Sequence, residues 1–249
     1  MAGHNKWSKV KRKKGVADAR RSKVWARITR DMMIAAREGG GDPDMNPRLG
    51  LAVEKAKAQN MPKDNIERAI KRGTGEIAGA DYEEMTYEGY GPGGVAIFVE
   101  CLTDNTNRTV ADVRHAFSKY GGNLGTTGSV AYLFERKGEI EIDAVGQDED
   151  DLFLLVAEAG AEDLKQEDGS FLVTTPVEAF GAVHEAIEGA GVEPKEAGLV
   201  RIATTTTTLG SDDAAKVMRL VDALEELQDV QEVYTTLELD AATLAALEG

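Results

Sequence analysis

The patterning of this chain changes once, across the stretch Gly73 to Ala80 with its glycines at 73, 75 and 79, and that break constrains the fold more than any other feature. Before it, apolar residues recur at spacings of three and four; after it, β-rich runs alternate with helical ones. A helical N-terminal part joined to an α+β body is therefore expected, and 249 residues allow two or three domains.

Formal charge divides at the same place. Residues 1–75 hold 19 Lys and Arg against 8 Asp and Glu, for +11, while the remainder of this chain of net charge −15 carries −26. Such asymmetry predicts a basic module that meets a polyanion and an acidic body that does not. The competing reading is a basic tail that keeps an acidic enzyme soluble. Hydrophobic residues at 42% and charged residues at 29% exclude a disordered or collagenous chain. Cys101 is the single cysteine, which rules out an internal disulfide and points to a reducing, cytoplasmic location. His4, His115 and His184 are too scattered for a ligand cluster, so neither metal nor cofactor is expected. No apolar run approaches the roughly 20 residues of a spanning helix. The charged N-terminus lacks the apolar region of a secretory signal, so no membrane partner is expected.

Three helices are predicted in the basic part. From about Val16 to Arg37, Trp25, Ile28, Met32 and Ala35 share one face, and Arg20, Lys23, Arg27 and Arg30 form a second stripe expected to point outward. Gly39 to Pro43 end this helix; Asn46 and Pro47 are an N-cap and a first-position proline for a helix running to about Asn60. Pro62 opens a third helix with Ile66, Ala69 and Ile70 apolar, closed by Gly73. In the body, strands are expected at Val95 to Leu102 and Val130 to Phe134, around a helix from Asn107 to Tyr120. Between Gly138 and Ala203 the order strand, helix, strand, strand, helix, strand is that of a ferredoxin-like unit. A helix from Ser211 to Leu227 and a strand from Val230 to Leu237 follow it. The expected fold class is thus multidomain α and α+β: an N-terminal three-helix bundle, then two α+β domains, the ferredoxin-like (βαββαβ) one inserted into the other. The expected domains are 1–78, 79–136 with 205–249, and 137–204.

The candidate nucleic-acid-binding residues lie in the first 30, where 11 Lys and Arg stand against Asp18 alone. They are Lys6, Trp7, Lys9, Lys11, Arg12, Lys13 and Lys14 in an arm, then Arg20, Arg21, Lys23, Arg27 and Arg30 on the helix. This density neutralises phosphates and releases counterions, which explains affinity but not sequence preference. Trp7 either stacks on a base or anchors the arm. Helices two and three also permit a helix-turn-helix reading, with Lys63, Arg68, Lys71 and Arg72 as secondary contacts. Tyr90 and Gly91 belong to Gly89-Tyr90-Gly91-Pro92-Gly93-Gly94, which lacks the spacing of a phosphate-binding loop and reads as a turn or as a close approach to a ligand. No catalytic residues are expected: Asp212-Asp213 and Glu225-Glu226 read as helix capping and solvation, His115 as structural, and Cys101 as a small buried hydrophobe.

Several long stretches carry a resemblance: MAGHNKW at the start, GGGDPDMNPRL at 39–49, NMPKDNIERAIKRGTG at 60–75, YEGYGPGGVA at 87–96, and LTDNTNRTVADVRHAFSKYGGNLGTTGSVAYLFERKG at 102–138. With these the chain resembles, over essentially its full length, the YebC/PmpR family of bacterial regulatory proteins. Mitochondrial relatives of that family include the translational activator of cytochrome c oxidase subunit I. The resemblance implies three domains, a helical one followed by two α+β ones, and no catalytic residues. It also implies a DNA-binding transcriptional regulator or, alternatively, a ribosome-associated translation factor that relieves stalling on proline-rich sequences. Duplex DNA is the expected partner in the first case, and ribosomal RNA, met by the same basic arm, in the second.

Overall fold

The computed structural model describes residues 17–239 and Thr243, with side chains from residue 21. The chain divides into two compact units, one formed by Met1–Phe134 with Ala203–Gly249 and the other by Glu135–Ile202.

The first unit begins with α1 (Ala17–Gly39), α2 (Pro47–Ala58) and α3 (Lys63–Gly73). Met32, Ala35, Leu49, Ala52, Ala56, Ile66 and Ala69 form their shared core, with Trp25, Ile28 and Ile70 partly buried against it. The apolar spacing of α1 therefore marks its packed face. Asn46 organises the turn between α1 and α2. Its Oδ1 accepts from the Leu49 N–H at 3.2 Å, and its Nδ2 donates to the carbonyls of Ala35 and Gly40, both at 2.8 Å. One buried side chain thus caps the start of α2 and satisfies carbonyls at the end of α1. A Cβ on Gly39 would stand 2.6 Å from that Nδ2, which is why a glycine precedes the turn.

A four-stranded antiparallel sheet follows, in the order β3 (Asn123–Leu124), β1 (Glu83–Tyr90), β2 (Ala96–Thr103) and β9 (Val230–Thr235). On one face α4 (Thr106–Lys119) and α7 (Ser211–Glu225) close a core of Ile97, Val99, Cys101, Val113, Phe117, Val217, Leu220, Val221 and Val233. On the other face Ala96 and Phe98 pack with Val130 and Phe134. Burial on both faces explains why β2 is a continuous apolar run. A short parallel pair, β8 (Thr207–Thr208) with β10 (Leu237–Glu238), joins the segment after the insertion to the C-terminal strand region.

Two expectations change. Strand β1, sequence EEMTYEGY, is mostly exposed or half-buried along its first half, so it lacks the apolar run that marks β2. The expected strand at Val130 to Phe134 is instead a 3₁₀ turn over Ala131–Leu133, with the next strand starting at Phe134. The cause is Glu88. Its buried carboxylate accepts the N–H groups of Gly128 (2.7 Å), Val130 (2.7 Å) and Ala131 (2.8 Å), donors that a sheet ladder would otherwise need.

The second unit contains β4 (Phe134–Asp143), α5 (Glu149–Glu158), β5 (Asp163–Glu167), β6 (Ser170–Thr175), α6 (Phe180–Gly189) and β7 (Pro194–Ala203). Its sheet order, β5-β6-β4-β7, is that of a ferredoxin-like fold. Asp148 caps α5 by accepting from the N–H groups of Asp150 and Asp151. Asp168 (φ +50°) and Gly169 (φ +80°) make the tight hairpin between the paired residues Glu167 and Ser170, the left-handed geometry that Asp-Gly favours.

Candidate nucleic-acid interface

Helix α3 turns Ile66 and Ala69 inward and leaves Lys63, Arg68, Lys71 and Arg72 exposed. Lys63 lies 3.7 Å from Glu67. Among the described residues Arg68, Lys71 and Arg72 make no ion pair. Lys71 and Arg72 stand in the last turn, where the helix dipole favours cations, and three of the four side chains are available to an external anion. The connection from α2 spans only residues 59–62.

The stripe on α1 is arranged differently from the expectation. It faces away from the bundle core, as the periodicity requires, but not toward solvent along its length. Lys23 Nζ donates to the Glu226 carbonyl at 3.4 Å, Arg27 Nη2 to that of Glu225, and Arg30 Nη2 to that of Gln228. All three acceptors lie at or just past the C-terminal end of α7. Cations are thereby spent on the unpaired carbonyls and negative pole of a helix some 200 positions away. Lys23 remains exposed, Arg27 is half-buried, and Arg30 is only 4% exposed. Burial lowers the pKa of Arg30 from its ordinary value. The outward reading of Arg30 is thus corrected. Backbone carbonyls carry no residue signature, so nothing in the sequence marks them as partners. Arg21 is exposed; Lys6, Trp7, Lys9, Lys11, Arg12, Lys13, Lys14 and the side chain of Arg20 lie outside the described residues.

Beside Arg30 sits a network the sequence does not reveal. Asp229 is buried, and both its carboxylate oxygens accept from Arg108 Nη2 at 2.8 Å. Oδ2 also accepts from the Thr109 hydroxyl at 2.7 Å and from Arg108 Nε at 3.1 Å. The Asp229 carbonyl accepts the Leu102 N–H at 2.8 Å. One aspartate therefore joins the end of β2, the first turn of α4 and the α7–β9 connection. Its hydrogen bonds, with those of Asp104, raise the pKa of Arg108, which stays cationic. Arg108 and Thr109 sit in the motif NTNRTVAD, but their partner lies 120 residues on.

The glycine-rich loop is a turn. Gly91 N–H donates to the Val95 carbonyl at 2.8 Å and Gly94 N–H to that of Gly91 at 3.1 Å, while Gly93 and Gly94 take φ of +70° and +77°. A Cβ on Gly89 would stand 2.6 Å from both the Phe117 ring and the Asn123 carbonyl, so close packing explains that glycine. Tyr90 donates its hydroxyl to the Ser129 carbonyl at 2.8 Å, and burial, reinforced by Tyr132, raises its pKa. Tyr90 and Gly91 thus hold the loop. Cys101 is 2% exposed, and burial pushes its thiol up to about 12, leaving it protonated and unreactive. His115 is exposed on α4. No described helix is long and apolar enough to cross a membrane.

Residues 5–76 match the family model of the TACO1/YebC protein N-terminal domain, and residues 82–237 match that of the TACO1/YebC second and third domain. A protein from Desulfosudis oleivorans named probable transcriptional regulatory protein is 51% identical over 239 residues, covering 96% of this chain and 97% of its own. One of the same name from Salinibacter ruber is 54% identical, covering 98% and 96%. The crystal structure of a conserved hypothetical protein from Aquifex aeolicus superimposes with a TM-score of 0.83 at 46% identity, covering 90% of this chain and 92% of that one. On sequence and on structure alike, the chain belongs to the TACO1/YebC family.

Proposed function

We propose that this protein is a non-enzymatic, cytoplasmic regulatory protein that binds nucleic acid through its basic helical domain and acts on duplex DNA in transcription. The observation that carries the reading is the exposed row Lys63, Arg68, Lys71 and Arg72 on α3, in the part of the chain that holds its positive charge. Of these four, Arg68, Lys71 and Arg72 have no acidic partner among the described residues, which is what phosphate binding requires. The basic residues 6–14, with Arg21 and Lys23, supply further phosphate contacts in this reading. The three-domain division at 1–78, 79–136 with 205–249, and 137–204 assigns binding to the first domain. Acidic residues on the other two repel polyanions and serve a regulatory partner. The names carried by the relatives support transcription as the process.

Fluorescence anisotropy of the full chain on labelled duplex DNA, over a salt series and then against purified ribosomes, tests the proposal. Binding that differs between DNA sequences near physiological salt and resists ribosomes supports it. Binding that ignores sequence and is displaced by ribosomes at far lower concentration transfers the same surface to ribosomal RNA and makes the protein a translation factor.

A further inference from the structure

Between α1 and α3 lies a small groove that packing of two helices would normally close. Its volume is about 140 Å³, and Trp25, Thr29, Met61, Asn65, Arg68 and Arg72 line it. We propose that this groove receives a single unpaired nucleobase. The inference rests on the reading that the helical domain binds nucleic acid, and it adds which nucleotide that domain selects.

Each lining residue supplies a distinct part of such a site. The Trp25 indole is held in place because its Nε1 donates to the Gln59 carbonyl at 3.0 Å. The Thr29 hydroxyl is spent on the Trp25 carbonyl at 2.7 Å, so it does not compete for a ligand. Met61, only 6% exposed, gives an apolar floor. The half-buried Asn65 side chain makes no hydrogen bond among the described residues, so both its donor and its acceptor are available. A carboxamide of this kind pairs with one edge of a base, most favourably adenine. Arg68 and Arg72 are one helical turn apart on the rim, placed for the phosphates that flank an extruded nucleotide. The volume is far below the roughly 300–1,000 Å³ of drug-sized pockets, and it suits one planar base between an aromatic wall and a thioether.

A base inside a duplex is stacked on both faces and cannot enter. The ligand is therefore a bulged, looped or single-stranded nucleotide, in DNA or in RNA. The groove thus adds a preference for an unpaired base to the indiscriminate attraction of the α3 cations.

The test uses the full chain carrying Trp7→Phe, which leaves Trp25 as the single tryptophan of the two. It is titrated with a fully paired DNA duplex, the same duplex with one unpaired adenosine, and the matched pair of RNA hairpins. The bulged ligands should bind on the order of tenfold tighter, the scale of one base-on-aromatic stack, and should quench Trp25. Adding Asn65→Ala should lower that ratio severalfold, leaving the share due to the Trp25 stack and its quenching, while paired-duplex affinity and the circular dichroism spectrum stay unchanged. Whether the DNA or the RNA bulge shows the larger preference identifies the source of the nucleotide. Equal affinity for bulged and paired ligands without quenching, while duplex binding persists, overturns the groove and leaves the nucleic-acid reading intact. A bulge preference undiminished by Asn65→Ala overturns the role of that carboxamide. Absence of binding to every ligand at low salt overturns both readings.

Discussion

The guanidinium of Arg30, buried at 4% exposure on α1, donates from Nη2 to the carbonyl of Gln228, just past the end of α7. This contact makes a residue of the basic module part of the framework of the α+β body. Arg30→Ala should therefore destabilise the protein by about 2–4 kcal/mol, through the packing lost at a buried side chain and a carbonyl left without its donor. The exposed Arg21→Ala should stay within about 0.5 kcal/mol of the parent. Urea denaturation of the two variants makes the comparison, and equal stabilities would show that the Arg30 contact does not hold the body.

Asn46 carries a second prediction. It makes hydrogen bonds to Leu49, Ala35 and Gly40 from a buried position. Asn46→Ala should cost about 2–3 kcal/mol, more than the roughly 1 kcal/mol of an exposed cap, because two carbonyls lose their donor as well. Asn46→Asp keeps the acceptor for Leu49 but sets a carboxylate against those carbonyls, so it should not restore stability. Thermal unfolding of both variants measures this; rescue by Asp would mean that capping alone matters.

Glu88 pins the segment 128–131 by accepting three backbone N–H groups. Glu88→Gln replaces one carboxylate oxygen by a donor facing a donor. Hydrogen exchange should then accelerate at Gly128, Val130 and Ala131, with a loss of about 2–3 kcal/mol in stability. Unchanged protection at these amides would assign the turn to other contacts.

Cys101 links stability to pH. Its thiol ionises near 9.0 when unfolded but is pushed up to about 12 in the fold. Between those values the unfolded state binds fewer protons, so stability falls as pH rises. The slope approaches about 1.4 kcal/mol per pH unit, and no effect is expected below pH 9. Tyr87 and Tyr90 are also raised and add to the loss above pH 10. Cys101→Ala should flatten the decline between pH 9 and pH 10 in urea titrations; identical slopes for parent and variant would contradict the assignment.

Much of the architecture is legible in the sequence, for local reasons. The spacing of Trp25, Ile28, Met32 and Ala35 marks a helix face, and Asn46-Pro47 a helix start. The unbroken apolar run of β2 reflects burial on both faces. Strand β1 escapes because its polar side chains reach solvent, and the turn at 131–133 escapes because its donors are claimed by Glu88 from 40 or more positions away. The same limit applies to the candidate site. Composition identifies the cations of α1 and α3 together, but only the tertiary structure separates Arg30, committed to a carbonyl, from Arg68, Lys71 and Arg72, which face solvent. Asn65 carries no motif at all and gains meaning only beside Trp25.

A phosphate-binding face on α3 must lose its affinity when its charge is reversed. Reversal along α1 would instead disrupt the end of α7. The variant Arg68→Glu, Lys71→Glu, Arg72→Glu should keep the parent's circular dichroism and melting behaviour, because all three side chains are exposed. Measured by anisotropy on duplex DNA over a salt series, it should bind at least tenfold more weakly. Its slope of log K against log salt should be shallower by about one for each phosphate contact removed. A folded variant that binds with the parent's affinity and salt slope would contradict the account.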